Sequence, residues 1–291
     1  GELTEAHVAQ VAAAMRTIEG EISNEVWLTD GEAAEMSIDS EVSDGTIVTA
    51  ARYILGDAKI DIGVQKVAED RRRKLLVADM DATMVVGETL DDLAAKLGLG
   101  EKVAEITTRA MRGEVDFAGA LRERVAMLKG HPSKAIDEIA NAAVLSPGAE
   151  TLLKTMGGWG AKRVLVSGGF TPVTSVIAEK LGFDLHHGNT IGVADGAFDG
   201  SVADPIFDGR AKMKTLLTLC AEGGLALKDA IAVGDGANDA DMVEIVSSGS
   251  GIGASYYGKP KLDAVSAFHI KHTDLTALLF MQGVPRKDFA A

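Results

Sequence analysis

Residues 75 to 88 read LLVADMDATMVVGE. The apolar run Leu75, Leu76, Val77 and Ala78 predicts a buried strand. Two carboxylates follow, Asp79 and Asp81, with Thr83 two residues further on. Two anions at the mouth of an apolar strand repel each other and resist desolvation. A hard cation between them offsets both costs, so this loop is the first candidate for a reaction centre. A pair of ordinary turn aspartates is the plain alternative. Three later segments weigh against it.

The first is VLVSGGF, where Ser167, Gly168 and Gly169 close an apolar run. A hydroxyl followed by two glycines lets a backbone N–H approach an anionic oxygen closely. The second is DGRAKMKTLL, which carries Lys212 just inside a helical pattern; Arg210 and Lys214 compete with it as surface cations. The third is AVGDGANDADM, which sets Asp235, Asn238 and Asp239 in a polar loop with Gly234 and Gly236 flanking Asp235. Oxygens from Asp79 and Asp235 suit Mg²⁺, typically held by one or two carboxylates plus phosphate. Zinc has no Cys/His cluster to hold it. His186 and His187, like His269 and His272, read as surface or turn residues. No GxxxxGK[ST] loop, dinucleotide fingerprint or GxSxG elbow occurs, so the nucleophile to expect is a carboxylate.

Those residues need a frame. Strands are predicted at 75–79, 163–167 and 230–233, with shorter ones at 191–193 and around 251–254. They alternate with helical patterns, which predicts an α/β fold with a parallel sheet and its polar residues at the C-terminal strand ends. Residues 88–146 are helical in pattern. Leu90, Leu93, Ala94 and Leu97 form one stripe, and Phe117, Leu121, Val125 and Leu128 another, ended by Gly130 and Pro132. The block exceeds what a crossover needs and predicts an inserted helical cap. Residues 1–72 read as a small separate α/β accessory domain. The basic cluster Arg71-Arg72-Arg73-Lys74 reads as a solvated linker or edge.

The chain has 291 residues, 46% of them apolar, enough for one large or two modest cores. A net charge of −14 argues against a general nucleic-acid surface. No apolar run of about 18 residues predicts a membrane span. The opening GELTEAHVAQ lacks a secretory pattern. The single cysteine, Cys220, allows no internal disulfide and fits a reducing, cytoplasmic setting. Its neighbours Leu216, Leu217 and Leu219 place it in a helix core.

From residue 74 to about 283 the chain resembles the haloacid dehalogenase-like phosphohydrolases, and within them the phosphoserine phosphatase branch. DMDATMV matches the first family motif, VLVSGGF the second, the lysine of GRAKMK the third and VGDGANDADM the fourth. ETLDDLA, the segment ITTRAMRGEVDFAGALRERVAMLKG and SGGFTPVT resemble that branch in particular. The resemblance implies a Rossmann-like core over 74–291 with the cap at 88–146, and a divergent ACT-like module in 1–72 with a possible homodimer. It implies a small phosphoamino acid as the partner, hydrolysed in the last step of serine synthesis. Asp79 would be the nucleophile that takes the phosphoryl group, and Asp81 the general acid and then base. Thr83, Ser167 and the Gly168 N–H would hold phosphoryl oxygens, with Asn238 beside them. Lys212 would neutralise the phosphoryl charge. Mg²⁺ would sit on Asp79, the Asp81 backbone carbonyl and Asp235, with Asp239 close behind. Glu88 and Arg124 would take the ammonium and carboxylate of the substrate, and Met111 and Phe117 would line the apolar side of the cap. Ala82 departs from the serine many relatives carry.

Physical reasoning agrees with these roles. An anionic ester attacked by an anion needs cations to offset repulsion. A serine alkoxide leaves poorly without a proton donor. On a helical wheel Arg124 lies nearer the apolar stripe than Arg122, and a guanidinium fits a carboxylate in bidentate geometry. Phosphothreonine, phosphohomoserine or transfer to another alcohol would use the same machinery. A binding protein on a retired phosphatase fold would be expected to have lost Asp79, Asp81 or Asp235, and all three are present.

Overall fold

The computed structural model describes residues 2–18, 21–67 and 70–290; the side chain of Met111 lies outside the described part. The chain opens with α1 (Glu5–Thr17), β1 (Glu21–Thr29), β2 (Ala33–Asp39) and α2 (Asp44–Leu55). Thr4 starts α1 with a reciprocal cap: its side chain accepts from the His7 N–H, and the His7 side chain accepts from the Thr4 N–H. β1 and β2 pair antiparallel. Met15, Ile47 and Ala51 form the small core against which Ile22, Met36 and Ile38 pack.

A six-stranded sheet organises the rest, in the order β10-β9-β8-β3-β4-β5. Its strands are β3 (Leu75–Asp79), β4 (Lys162–Phe170), β5 (Leu185–Asn189), β8 (Ala230–Gly234), β9 (Ile252–Tyr256) and β10 (Phe268–Ile270). All its pairings are parallel. β3 lies between β4 and β8, and all five of its residues are buried. Period-two alternation divides it between two cores. Leu76 and Ala78 face Leu152, Leu165, Phe170 and Ile177. Leu75 and Val77 face Leu216, Cys220, Val243 and Val246. Truncating Leu76 to Ala at so enclosed a position costs about 2–5 kcal/mol. After β3 the chain goes to β4 on one side and later returns to β8 on the other. The strand order therefore reverses beside Asp79, where open α/β sheets leave a crevice.

Four helices come between β3 and the crossover to β4: α3 (Thr89–Lys96), α4 (Gly100–Met111), α5 (Phe117–Met127) and α6 (Ala135–Ala142). The two ends of this insert meet at its base, where Val85 bridges Leu145 and the Val86 N–H donates to the Val144 carbonyl. Helix α7 (Ala149–Gly158) then leads to β4, and α8 (Thr171–Leu181) to β5. A hairpin of β6 (Ile191–Ala194) and β7 (Ala197–Val202) precedes α9 (Gly209–Gly223). Cys220 is buried in α9. Helix α10 (Ala240–Ser248), α11 (Pro260–Asp263) and α12 (Ala277–Met281) complete the chain.

Two expectations need correction. His186 and His187 belong to the edge strand β5, not to a turn, and His269 lies in β10. LHHGN has no apolar alternation to announce a strand. Its histidines find partners instead: His187 stacks on Phe207 at 5.8 Å, and His186 Nδ1 meets Thr174 Oγ1 at 2.9 Å. The short strand expected at 191–193 is present, and it pairs with β7 outside the main sheet. The basic cluster is not simply solvated. Arg73 is only 7% exposed and its backbone N–H donates to Gln282. Arg71 reaches Glu35 on β2 at 2.7 Å and the Met281 carbonyl at 3.1 Å. Asp61 accepts from the N–H groups of Lys271, His272 and Thr273. The segment before β3 is thus docked on the last elements of the chain.

Candidate active site

The floor of the crevice is built from the ends of β3 and β8 and the starts of α9 and α10. Asp208 caps α9 by accepting from the Ala211 N–H, which sets Lys212 in the first turn, pointing under the sheet ends. Lys212 is fully buried; its Nζ donates to Asp79 Oδ1 at 2.5 Å and to Asp239 Oδ1 at 2.7 Å. Asp239 also accepts from the Gly236 N–H. A Cβ at Gly234 would lie 2.3 Å from Asp239 Cγ, so a side chain there would displace the carboxylate. Oxygens of Asp79, Asp235 and Asp239 lie within 4.8 Å of one another, all on buried residues. A cluster of hard oxygens with one ammonium to offset it fits a divalent cation. Burial, and then Asp239, push the Asp79 carboxyl well above the usual range, with Lys212 pulling the other way. Burial works against the charge on Lys212, but Asp239 and Asp79 outweigh it and raise its pKa, so the ammonium stays protonated.

Between β3 and α3 the backbone turns sharply. Ala82 adopts a left-handed conformation, φ 51°, and its N–H donates to the Gly87 carbonyl. This turn sends the Asp81 carboxylate away from the floor. Its Oδ1 accepts from the Thr89 N–H at 2.8 Å, and its Oδ2 from Ser167 Oγ at 3.3 Å. Burial raises the Asp81 pKa, opposed by the Thr89 hydrogen bond and by Lys212. A carboxyl biased towards its protonated form suits a proton donor. Thr83 is fully buried, and its Oγ1 has no hydrogen-bond partner among the described residues. Such an orphan hydroxyl fits a bound ligand oxygen.

At the end of β4, Ser167 Oγ also accepts from the Gly169 N–H at 2.8 Å. Asn189 is buried and holds this loop: its Nδ2 donates to the Gly168 carbonyl and its Oδ1 accepts from the Phe207 N–H. Phe117, the first residue of α5, lies over Gly168; a Cβ there would come 2.8 Å from Phe117 Cζ. The helical insert and the sheet core meet at this contact.

The sequence model of the family described as haloacid dehalogenase-like hydrolase matches residues 76–244. The chain belongs to the haloacid dehalogenase-like hydrolases. It is 36% identical over 248 residues to a Mycobacterium tuberculosis protein named phosphoserine phosphatase SerB2, covering 85% of this chain and 60% of that one. It is 39% identical over 215 residues to the phosphoserine phosphatase of Lactococcus lactis, covering 74% of this chain and 98% of that one. A solved structure described as a probable phosphoserine phosphatase from Vibrio cholerae, in unliganded form, superposes with a TM-score of 0.77. That match has 27% identity and covers 98% of this chain and 85% of the other. The chain thus spans about three fifths of the Mycobacterium relative.

The rim of this haloacid dehalogenase-like hydrolase site carries the remaining residues. Glu88 precedes the first residue of α3 without a side-chain cap hydrogen bond and keeps half of its side chain exposed. It is nonetheless crowded by protein: burial, then Asp81 and Asp235, raise its pKa to about 7, while Lys259 opposes them. Arg124 is half-buried on α5, and its Nε donates to the Ala120 carbonyl one turn back. Burial lowers its pKa, against the pull of Asp91, Glu88 and Asp81. Arg122 instead is exposed and pairs with Asp204. Asn238 lies beside Gly236, its Oδ1 2.5 Å from where a Cβ would stand, and its side chain is half-buried at the crevice. Met111 ends α4, and the placement of its side chain is outside the described residues.

Asp239 stands in the carboxylate cluster itself, although the sequence placed it behind the metal. Lys259 went unnoticed in YYGKPK, where only a Lys-Pro pair at a strand-to-helix junction could have marked it. Asn189 had no motif to announce it.

Proposed function

We propose that the chain is a Mg²⁺-dependent phosphoserine phosphatase that works through an aspartyl-phosphate. The observation that carries this reading is the buried Asp79–Lys212–Asp239 network beside Asp235, with Asp81 turned out of it. Its relatives from Mycobacterium tuberculosis and Lactococcus lactis carry the name phosphoserine phosphatase. Asp79, Asp235 and the Asp81 carbonyl would hold Mg²⁺, with Asp239 beside it. When bound, the ion supplies positive charge that offsets repulsion between Asp79 and the ester phosphate.

Asp79 then attacks phosphorus, and the bond from phosphorus to the serine oxygen breaks. Asp81 gives its proton to that oxygen. Next, Asp81 takes a proton from water, the water oxygen attacks phosphorus, and the bond to Asp79 breaks. Thr83 Oγ1, Ser167 and the Gly168 N–H hold the phosphoryl oxygens, with Asn238 at their side. Lys212 balances the charge on Asp79 throughout. Glu88 takes the substrate ammonium and Arg124 its carboxylate. Phe117 and Met111 close the apolar side. Residues 1–72 form an accessory module, 74–291 the catalytic core, and 88–146 its cap. We place the protein in the cytoplasm, acting in serine synthesis.

Phosphate release from a panel of phosphomonoesters, with and without Mg²⁺, tests this directly. The expected result is Mg²⁺-dependent turnover with a kcat/KM for O-phospho-L-serine well above that for sugar phosphates. Equal values across the panel would remove the substrate assignment.

A further inference from the structure

Lys259 lies between the floor and the rim. It follows β9 and precedes Pro260, the first residue of α11. Its position is fixed twice by Asp235: its backbone N–H donates to the Asp235 carbonyl at 2.8 Å, and its Nζ reaches Asp235 Oδ2 at 2.9 Å. The same Nζ stands 3.6 Å from Glu88 Oε1. One ammonium therefore spans a carboxylate of the sheet floor and the carboxylate at which the helical insert begins.

We propose that Lys259 is a positioning residue for substrate selection: anchored on Asp235, it holds the Glu88 carboxylate in place for a substrate ammonium. The inference rests on the phosphoserine reading of the site.

Glu88 has little else to orient it. Its side chain caps no N–H of α3, and Lys259 is its one ion-pair partner among the described residues. Its carboxylate neighbours, Asp81 and Asp235, repel its charge. Arg124 attracts Glu88 without an ion-pair contact, so with Lys259 gone the Glu88 side chain would be free to turn outward to water, and the site would lose a fixed anion for the ammonium. Lys259 counters both effects from one point, because Asp235 holds it from the core side. Being half-exposed, it can share Glu88 with an incoming ammonium without being stranded in a dry interior.

The test uses the full chain with Mg²⁺ and two substrates: phosphoserine, and β-glycerophosphate, which has no ammonium. K259M is expected to raise KM for phosphoserine about fivefold, the scale of one half-exposed charge contact. KM for β-glycerophosphate stays unchanged, and kcat for phosphoserine changes far less than its KM. K259R, which keeps the charge, restores most of the loss. In an E88Q background, K259M adds no further rise in KM for phosphoserine. Thermal melting of each variant confirms folding, which a half-exposed side chain does not threaten. A lower KM for phosphoserine in K259M would show Lys259 to be a competitor of the substrate and overturn the inference. Equal rises for both substrates would overturn it too, by placing Lys259 with the metal or phosphate. If the unaltered chain does not turn over phosphoserine, the functional reading itself fails, a result distinct from either.

Discussion

The floor and the rim of the crevice hold charges in opposite ways. On the floor, Asp79, Lys212 and Asp239 have at most 4% side-chain exposure, and each is fixed by hydrogen bonds of 2.5–2.7 Å. At the rim, Glu88 and Lys259 keep about half of their surface, and their contact is 3.6 Å. Buried charges of this kind cannot relax when a partner is lost, whereas solvent absorbs much of the loss at the rim. The difference teaches where chemistry and selection reside. On the proposed function, the floor would carry the bond-breaking chemistry. The rim would select whose phosphate is accepted.

Substitutions can test that division, starting from the floor. Asp79→Asn removes the attacking oxygen and should lower kcat by about 10⁴-fold or more, measured as steady-state phosphate release. Retention of turnover would place the nucleophile elsewhere. Lys212→Met should be nearly as severe and should also cost about 3–5 kcal/mol in stability, because it leaves Asp79 and Asp239 facing each other without a cation. A melt without Mg²⁺ should show the full loss, and added Mg²⁺ should recover part of it. An unchanged melting temperature would mean the floor is more solvated than its geometry indicates.

Arg124→Ala belongs to the rim and should reduce kcat/KM for phosphoserine about 100-fold, within the range for truncating a charged binding contact. The same variant should act on β-glycerophosphate almost normally. Gly168→Ala probes the seam between the two regions. Its methyl meets the Phe117 ring at 2.8 Å, so kcat/KM should fall about tenfold through displacement of the cap. Phe117→Leu in the same chain should recover part of the loss; no recovery would mean the methyl acts by a route other than the Phe117 contact, since alanine keeps the backbone N–H.

The smallest effect concerns pH. Glu88 titrates at about 7, raised by burial and its acidic neighbours. A raised carboxyl pKa means protonation as pH falls through that value, so the anion that attracts the ammonium is lost below about pH 7. KM for phosphoserine should therefore rise a few-fold between pH 8 and pH 6. β-Glycerophosphate, and E88Q with phosphoserine, should show only the smaller change that protonation of the phosphate monoester itself brings.

Much of the floor was legible in the sequence because strand ends carry their own signal. An apolar run that stops at a carboxylate or an SGG marks both the element and the place where its polar end emerges. The α/β fold followed from the same runs, and the sheet is borne out with β3 at its centre. Legibility fell where contacts are made across long sequence separations. Lys259 meets Glu88 and Asp235 from a loop with no apolar pattern. β5 hides in LHHGN because an edge strand can satisfy its side chains by stacking and hydrogen bonding instead of burial. Arg73 looked like a solvated charge, yet Gln65 and Gln282 supply its hydrogen bonds in a buried setting.

The most direct measurement is to trap the intermediate. Phosphoserine carrying a labelled phosphoryl group is mixed with the full chain and Mg²⁺, quenched in acid within the first turnover, and the protein is digested and sequenced by mass spectrometry. The account predicts a phosphoryl label on Asp79, absent from the D79N variant. Turnover of phosphoserine with no label on the protein, or with the label on another side chain, would contradict it.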